Sequence, residues 1–183
     1  MFDFIQNIDI SVIEKIYRFQ HNLNSKLFNK IMIFFTILGD NGIIWIAIAL
    51  ILLLNRKYRK IGLFSIISLI ICALAVNVIL KPLIHRPRPF SKLANIVLLI
   101  KAPKDYSFPS GHTAASFVMV YIFFKHIKKY FIPVFITGIL ITFSRMYLSV
   151  HFPSDIIAGI IIGIFSEYAG EKVADGFYRK NID

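Results

Sequence analysis

Residues 141–164 read ITFSRMYLSVHFPSDIIAGIIIGI. A turn at 149–152 separates two apolar segments, 130–148 and 153–171, each close to the ~20 residues that cross a bilayer as a helix. Arg145 lies near the end of the first segment, where a charged side chain is costly unless it is paired or hydrated. The stretch therefore predicts two membrane helices joined by a turn that carries a function.

The composition agrees with a membrane protein. Of the 183 residues 57% are hydrophobic and 18 are Phe, and the mean hydropathy is +0.69. A soluble domain of this length cannot bury so much apolar surface. With three further apolar segments upstream, we predict an all-α polytopic transmembrane helical bundle with about five full spans, at 42–56, 60–80, 111–126, 130–148 and 153–171.

The segment before the first span is expected to form N-terminal amphipathic or interfacial helices. Ile10, Ile13 and Ile16 recur at roughly helical spacing within 9–22, which fits an interfacial helix, and a cap helix of the soluble type is the alternative. Residues 27–38 are apolar but too short to cross a bilayer alone. They are expected to dip into the interface or to pack against the bundle.

The chain is expected to be one integral membrane domain over 1–183. It would comprise an N-terminal segment at 1–41, a transmembrane core at 42–171 and a cytoplasmic tail at 172–183. Within the last span, Gly159-Ile-Ile-Ile-Gly163 has small residues four apart, which predicts a close helix–helix contact.

Basic residues indicate the partners and the orientation. The formal net charge is +11, and the cations lie between apolar runs, so anionic lipid headgroups are expected as partners rather than nucleic acid. In a five-span chain the basic clusters at 56–60, 125–129 and 172–180 share one side, which the positive-inside rule makes cytoplasmic. Residues 81–110 and the 149–152 turn then face the extracytoplasmic side, and the basic charge of 81–110 is attributed to phosphate binding.

The turn after Arg145 carries a histidine and a carboxylate. Pro153 suits the first turn of the next helix, which places His151 at its edge and Asp155 one turn later. The i, i+4 spacing brings the two side chains together. A carboxylate that holds one ring nitrogen fixes the tautomer and exposes the other nitrogen as a nucleophile. A helix-start acid that favours the dipole is the alternative for Asp155.

A second cluster, Lys81-Pro-Leu-Ile-His-Arg-Pro-Arg-Pro89, ends the 60–80 segment. Lys81 alone would also fit a lysine that snorkels to the interface. Arg88 lies between two prolines, which restrict its backbone and direct its guanidinium, so it offers a planar fork to phosphate oxygens. For His85 and Arg86 in the same run, an interfacial headgroup contact is the expectation.

A third cluster, Pro109-Ser-Gly-His112, opens the 111–126 segment. Ser110 is a natural N-cap, and the free amides of the same helix start can bind an anion. Gly111 lets the backbone approach a ligand closely. His112 is either an interfacial polar residue or, beside three cations, a proton donor to a leaving oxygen.

Metal is not expected at this site. Between Glu14 and Glu167 the carboxylates are Asp40, Asp105 and Asp155, which is not the acidic cluster that a two-metal phosphatase needs. Cations and amides would then neutralise the charge of the transition state. Two histidines in opposed roles fit a phosphohistidine intermediate that water hydrolyses, with no cofactor.

Taken together, the three clusters resemble the signature of the type 2 phosphatidic acid phosphatase superfamily. That signature is Lys, six residues, Arg-Pro; Pro-Ser-Gly-His; and Ser-Arg, five residues, His, three residues, Asp, and residues 81–155 match every fixed position. The resemblance implies an all-helical bundle with an extracytoplasmic site and no metal requirement. It implies the following roles by residue: phosphate binding by Lys81, Arg88 and Arg145 with help from Ser110 and Gly111, general acid catalysis by His112, nucleophilic attack by His151, and Asp155 as its partner.

The expected function is therefore that of a membrane-embedded lipid phosphate phosphatase of bacterial style in the plasma membrane. Undecaprenyl pyrophosphate is the first choice of substrate, and phosphatidylglycerophosphate and phosphatidic acid are the alternatives. Two other functions stay open: a non-enzymatic anion-binding membrane protein, and an enzyme that transfers the phosphoryl group to another lipid. The chain leaves the oligomeric state open.

Overall fold

The structure, a computed structural model, describes residues 2–93 and 96–180. Every regular element in those ranges is helical, which confirms the all-α prediction. The helices are α1 (Phe2–Leu23), α2 (Lys26–Leu38), α3 (Ile43–Leu54), α4 (Arg59–Ala73), α5 (Lys81–Ile84), α6 (Pro89–Lys92), α7 (Gly111–His126), α8 (Phe131–Tyr147) and α9 (Pro153–Lys180).

The apolar segment predicted at 60–80 changes its helical geometry halfway. α4 continues through π-helical turns at Leu74–Leu80 into α5, so the chain is helical without a break from Arg59 to Ile84. Wider turns of this kind occur often at functional sites. Here they bring Asn77 and Lys81 to the wall of the cavity described below.

α7 is the centre of the bundle and packs against α4, α8 and α9. Small residues allow the α7–α9 contact: a Cβ added at Gly159 would lie 2.8 Å from the carbonyl oxygen of Ser110, and one at Gly163 would lie 2.5 Å from that of Ala114. The predicted small-residue contact in the last span is therefore a contact with α7. Around α7 the core is apolar, and Trp45 donates its indole N–H to the hydroxyl of Ser116 at 3.0 Å.

The N-terminal helices pack against the bundle. Ile13 and Asp9 of α1 are buried, and α1 contacts α8 and α9. α2 buries Met32 and Thr36 and packs against α8, which is the second of the two arrangements expected for 27–38. At its end the chain bends by 49° into α3.

The outer surface of the helices is apolar. Ile51, Leu54, Val78, Ile136 and Phe165 are among the large hydrophobic side chains that it exposes. Among the described residues, two helical stretches are long and apolar enough to cross a membrane, Arg59–Lys92 and Lys128–Tyr147, and the bent pair Lys26–Leu38 and Asp40–Leu54 would be a third. The sequence predicted five full spans, and by length and apolarity two or three of them are confirmed among the described residues.

The last helix extends beyond the span predicted at 153–171. α9 continues through the expected tail to Lys180, while residues 181–183 lie outside the described part. One salt bridge links this extension to α4, since Lys60 lies 2.9 Å from Asp175. Just before the extension, Lys125 of α7 binds Glu167 and Glu171. With His126, the two glutamates form the group of metal-capable side chains found in the described part, and the Lys125 ammonium already binds both carboxylates.

Candidate active site

The three sequence clusters meet at one cavity of about 680 Å³. Its wall contains six of the eight residues that the sequence predicts for the site: Lys81, Arg88, Gly111, His112, Arg145 and His151. Its other end is apolar and runs between α3 and α4, where Ile46, Leu50, Ile66, Leu69 and Ile70 line it. The cavity thus combines a polar end that suits an anion with an apolar end that suits a hydrocarbon chain.

Arg88 is fixed in direction, as the flanking prolines predict. Its Nε donates to the carbonyl of Asp105 at 2.9 Å, its Nη1 to that of Val150 at 2.7 Å, and its Nη2 to that of Tyr106 at 3.2 Å. The residue is only 4% exposed. A guanidinium held by several backbone oxygens loses little further freedom when it binds an anion.

The other two predicted cations are also buried. Arg145 donates from Nη1 to the hydroxyl of Thr36, and its Nε has no partner among the described residues. Lys81 binds the carboxylate of Asp105. A buried guanidinium with an unused donor is costly unless it meets an anion, so this wall of the cavity favours a ligand with several negatively charged oxygens.

His151 presents a lone pair toward Arg88. Its Nε2 lies 3.2 Å from Nη1 of Arg88, and because a guanidinium nitrogen can only donate, Nε2 is the acceptor. The proton then sits on Nδ1, which lies 3.6 Å from Oδ2 of Asp155. Burial lowers the pKa of His151 to about 3; the Asp155 carboxylate opposes that shift, and the charges of Arg88 and Arg145 reinforce it. The ring is therefore neutral, as a nucleophile must be.

Asp155 lies behind His151, fully buried, and other groups hold it in place. Its carboxylate accepts from the backbone N–H of Phe152 at 2.8 Å, from the hydroxyl of Ser107 and from Arg86. These hydrogen bonds keep the acid ionised and fixed beneath the imidazole.

Arg86 corrects the sequence analysis, which expected an interfacial headgroup contact. Its side chain is 15% exposed and bridges Asp155 to Asp9 of α1, 2.6 Å away. The guanidinium also stacks on the ring of Phe152 at 4.3 Å. The network was missed because its partners are far apart in the chain. The available signal was an acid, Asp9, one turn before the apolar Ile13 on the same helix face.

His112 is held by the bend between α2 and α3. Its Nε2 lies 2.9 Å from Oδ1 of Asp40 and 3.2 Å from the carbonyl oxygen of Thr36. Both partners accept, so Nε2 carries a proton. Gly39 makes room for this arrangement, because a Cβ there would lie 2.9 Å from the imidazole Cδ2. No role was predicted for Asp40, although a carboxylate in the glycine-containing stretch Gly39–Gly42, between two apolar segments, was a usable indication.

The start of α7 was expected to cap the helix and to bind an anion, and Ser110 and Gly111 are placed differently for these two functions. The Ser110 hydroxyl accepts from the backbone N–H of Thr113 at 3.4 Å, as an N-cap does. Its own N–H donates to the carbonyl of Asp155 at 3.1 Å, which ties the start of α7 to the start of α9. Ser110 is fully buried, whereas Gly111 lies at the cavity wall.

Asp105 was not singled out from the sequence, yet its carboxylate forms salt bridges with two of the three cations. It binds Lys81 and lies 2.7 Å from Nη2 of Arg88. Partial burial would raise the pKa of the Asp105 carboxyl, but the hydrogen bond from Lys81 and the charges of Arg88 and Lys81 outweigh burial and hold this pKa below its usual range. The signal in the sequence was a lone acid in the basic 101–110 loop.

Known proteins resemble this chain in sequence and in fold. The PAP2 superfamily profile matches residues 62–170. An undecaprenyl-diphosphatase from Sulfolobus acidocaldarius is 32% identical over 79% of this chain and 70% of that protein. The crystal structure of Aquifex aeolicus LpxE superposes with a TM-score of 0.75 at 26% identity, over 90% of this chain and 95% of that one. A transmembrane PAP2-type phosphatidylglycerolphosphate phosphatase from Bacillus subtilis does so with a TM-score of 0.71 at 25% identity, over 96% and 87%.

Proposed function

The chain belongs to the PAP2 superfamily and is an integral membrane enzyme that hydrolyses lipid phosphates, and from this premise we propose that it removes the terminal phosphate of undecaprenyl pyrophosphate through a phosphohistidine on His151. The observation that carries the proposal is the lone pair on Nε2 of His151, 3.2 Å from Arg88, in the cavity wall that also contains Lys81 and Arg145. A nucleophile and three phosphate-binding cations thus share one surface.

In the first step Nε2 of His151 attacks phosphorus while the bond from phosphorus to the leaving oxygen breaks. The proton on Nδ1 stays, and the imidazolium that forms is stabilised by the carboxylate of Asp155, 3.6 Å away. His112 gives a proton to the leaving oxygen. Because its Nε2 is held by Asp40 and Thr36, Nδ1 is the nitrogen that exchanges this proton.

In the second step water attacks the phosphohistidine. Nδ1 of His112, now neutral, accepts a proton from the water, and the bond between phosphorus and Nε2 breaks. Inorganic phosphate leaves and both imidazoles return to their starting states. Two in-line displacements replace one difficult displacement.

Lys81, Arg88 and Arg145 would neutralise the equatorial oxygens in both steps, with the amide of Gly111 assisting at the helix start. The two carboxylates in the cavity wall are already engaged, Asp105 by Lys81 and Arg88 and Asp40 by His112. A carboxylate that already binds a basic side chain is a poor ligand for a divalent cation, and this supports a reaction that needs no metal. We expect full activity in excess EDTA.

The apolar end of the cavity supports a lipid substrate. Side chains of α3 and α4 line it, among them Leu50 and Ile70, so a hydrocarbon chain can lie there while its phosphate reaches the cations. Undecaprenyl pyrophosphate is placed first because the Sulfolobus relative is named an undecaprenyl-diphosphatase. Phosphatidylglycerophosphate and phosphatidic acid are the alternatives, and the Bacillus structure is titled a phosphatidylglycerolphosphate phosphatase.

We also propose where the protein is located. α3, the helical stretch from α4 to α6, α7, α8 and α9 would be the five spans, in the plasma membrane of a bacterial-type cell. The Lys125 and Lys60 salt bridges would lie on the cytoplasmic side by the positive-inside rule. The cavity, at the other end of α7, would then face the extracytoplasmic side.

The test is phosphate release by purified protein from undecaprenyl pyrophosphate, phosphatidylglycerophosphate and phosphatidic acid in mixed micelles, with and without EDTA. Wild-type protein is expected to release phosphate from at least one lipid, and His151→Gln to release none while it stays folded and monodisperse. Labelled lipid acceptors in the same assay separate transfer from hydrolysis. Phosphate binding without release would favour an anion-binding protein, and restoration of activity by a divalent ion would overturn the metal-free reaction.

A further inference from the structure

The acid Asp105 occupies the surface where a phosphate would bind. Its carboxylate binds Lys81 and lies 2.7 Å from Nη2 of Arg88. Both cations are buried, with side chains 10% and 4% exposed, whereas the carboxylate side chain is 51% exposed. The acid is therefore the part of this cluster that can move into solvent at small cost.

The carboxylate is not needed to place Arg88. Three backbone carbonyls, those of Asp105, Tyr106 and Val150, already accept from that guanidinium. The loop conformation supplies two of these acceptors whatever side chain stands at 105. Loss of the carboxylate would thus leave the direction of Arg88 unchanged.

We propose that Asp105 is a built-in competitor of phosphate, which sets how tightly the site holds its substrate and its inorganic product. The inference rests on the proposed function, since it assigns phosphate binding to Lys81 and Arg88. Phosphate oxygens that reach those two cations take the place of the Asp105 oxygens, because each nitrogen has few donors to offer. The carboxylate then turns toward solvent.

The competition lowers the apparent affinity of the site for every anion by the same factor. That factor is the fraction of time for which the two cations are free of Asp105. A lipid phosphate that also gains the burial of its hydrocarbon chain still binds. Inorganic phosphate has no such contribution, so Asp105 returns to the cations and the product leaves. The residue thereby protects the enzyme from inhibition by its own product.

The experiment is calorimetric titration of purified protein with inorganic phosphate, and separately with vanadate, at fixed ionic strength. If the cations are free about a tenth of the time, Asp105→Asn binds phosphate about tenfold more tightly than wild type. Asp105→Ala, which also lacks the carboxylate, is expected to behave in the same way.

Asp40→Asn is the matched control. Asp40 lines the same cavity and its side chain is 50% exposed, but it binds His112 rather than Lys81 or Arg88. If the loss of one negative charge raised phosphate affinity in a general way, both variants would show the same increase. Displacement of Asp105 by phosphate predicts a clearly larger increase in affinity for Asp105→Asn. Equal gains, or unchanged or weaker phosphate binding by folded Asp105→Asn and Asp105→Ala, overturn the inference.

Failure of the inference and failure of the proposed function give different results. If wild-type protein releases no phosphate from any lipid phosphate, the proposed function fails, and the titration still reports whether Asp105 competes with phosphate. If wild-type protein is active but Asp105→Asn binds phosphate, and is inhibited by phosphate, to the same extent as wild type, the inference alone fails.

Discussion

Nε2 of His112 lies 2.9 Å from Oδ1 of Asp40, although the two residues belong to different helical segments and are 72 positions apart in the chain. The carboxylate accepts a hydrogen bond from the ring and fixes its orientation, which leaves Nδ1 as the nitrogen that can give a proton to the leaving oxygen. Asp40 is in this account a positioning residue that acts through His112.

Asp40→Asn is expected to lower kcat by roughly 10- to 100-fold for phosphatidic acid, whose leaving alkoxide needs a proton. The loss for undecaprenyl pyrophosphate should be smaller, because its leaving group is a phosphate that departs with less assistance. The measurement is kcat for both lipids with wild type and variant. An equal loss for both would indicate a merely structural role.

The buried pair of Asp9 and Arg86 joins α1 to the catalytic turn. Asp9→Asn leaves the Arg86 charge only partly compensated, so we expect a loss of about 3 kcal/mol in the free energy of unfolding. Glu14→Gln in the same helix is the control: its partner Arg18 is 3.7 Å away on the surface, and the loss should be below about 0.5 kcal/mol. Denaturant titration in detergent measures both, and similar values for the two variants would contradict this role of α1.

Gly163 allows α9 to approach α7. The Cβ of Gly163→Ala would lie 2.5 Å from the Ala114 carbonyl oxygen, which the helices can relieve only by separating, at a cost of roughly 1–3 kcal/mol. Gly176→Ala is the control in the same helix, where a Cβ meets nothing within 4 Å. Thermal unfolding should show a lower midpoint for Gly163→Ala and an equal or higher one for Gly176→Ala. Unchanged stability of Gly163→Ala would refute the close contact.

The low pKa of His151 makes stability depend on pH. The native ring has a pKa of about 3, whereas an unfolded histidine titrates near 6.5, so between these values the unfolded state binds a proton that the native state does not. Stability is therefore lost as the pH falls below about 6.5. His151→Gln lacks this titration, so from about pH 7.5 to about pH 5.5 wild type should lose about 1 kcal/mol relative to the variant. A constant difference between the two proteins would mean that native His151 binds its proton over the same pH range as an unfolded histidine, which would contradict a neutral buried ring.

The helices could be predicted because apolar length and helix-start chemistry are local properties. The 111–126 segment coincides with α7, since Ser110 caps it and basic residues end it. The full length of the last helix was not predicted: beyond 171 the apolar pattern ends, but α9 continues to Lys180, and Lys60 of α4 binds Asp175 in that extension. Such long-range pairs have no local signature.

The same distinction applies to the site. Motif spacing brought His151, Arg145 and the other clusters to one cavity, because the functional residues lie at ends of helices that the bundle aligns. Asp40, Asp105 and Arg86 were missed because their significance lies in their partners, which are supplied by distant segments. A carboxylate in a loop has the same sequence signal whether it faces solvent or binds two buried cations.

Nucleophilic attack by His151 on a bound phosphate can be tested by the stereochemical course of hydrolysis at phosphorus. A lipid thiophosphate made chiral with oxygen isotopes would be hydrolysed by wild-type protein and the configuration of the released thiophosphate determined. Attack by His151 followed by water consists of two inversions and predicts overall retention. Inversion of configuration would show a single attack by water and would contradict the phosphohistidine mechanism.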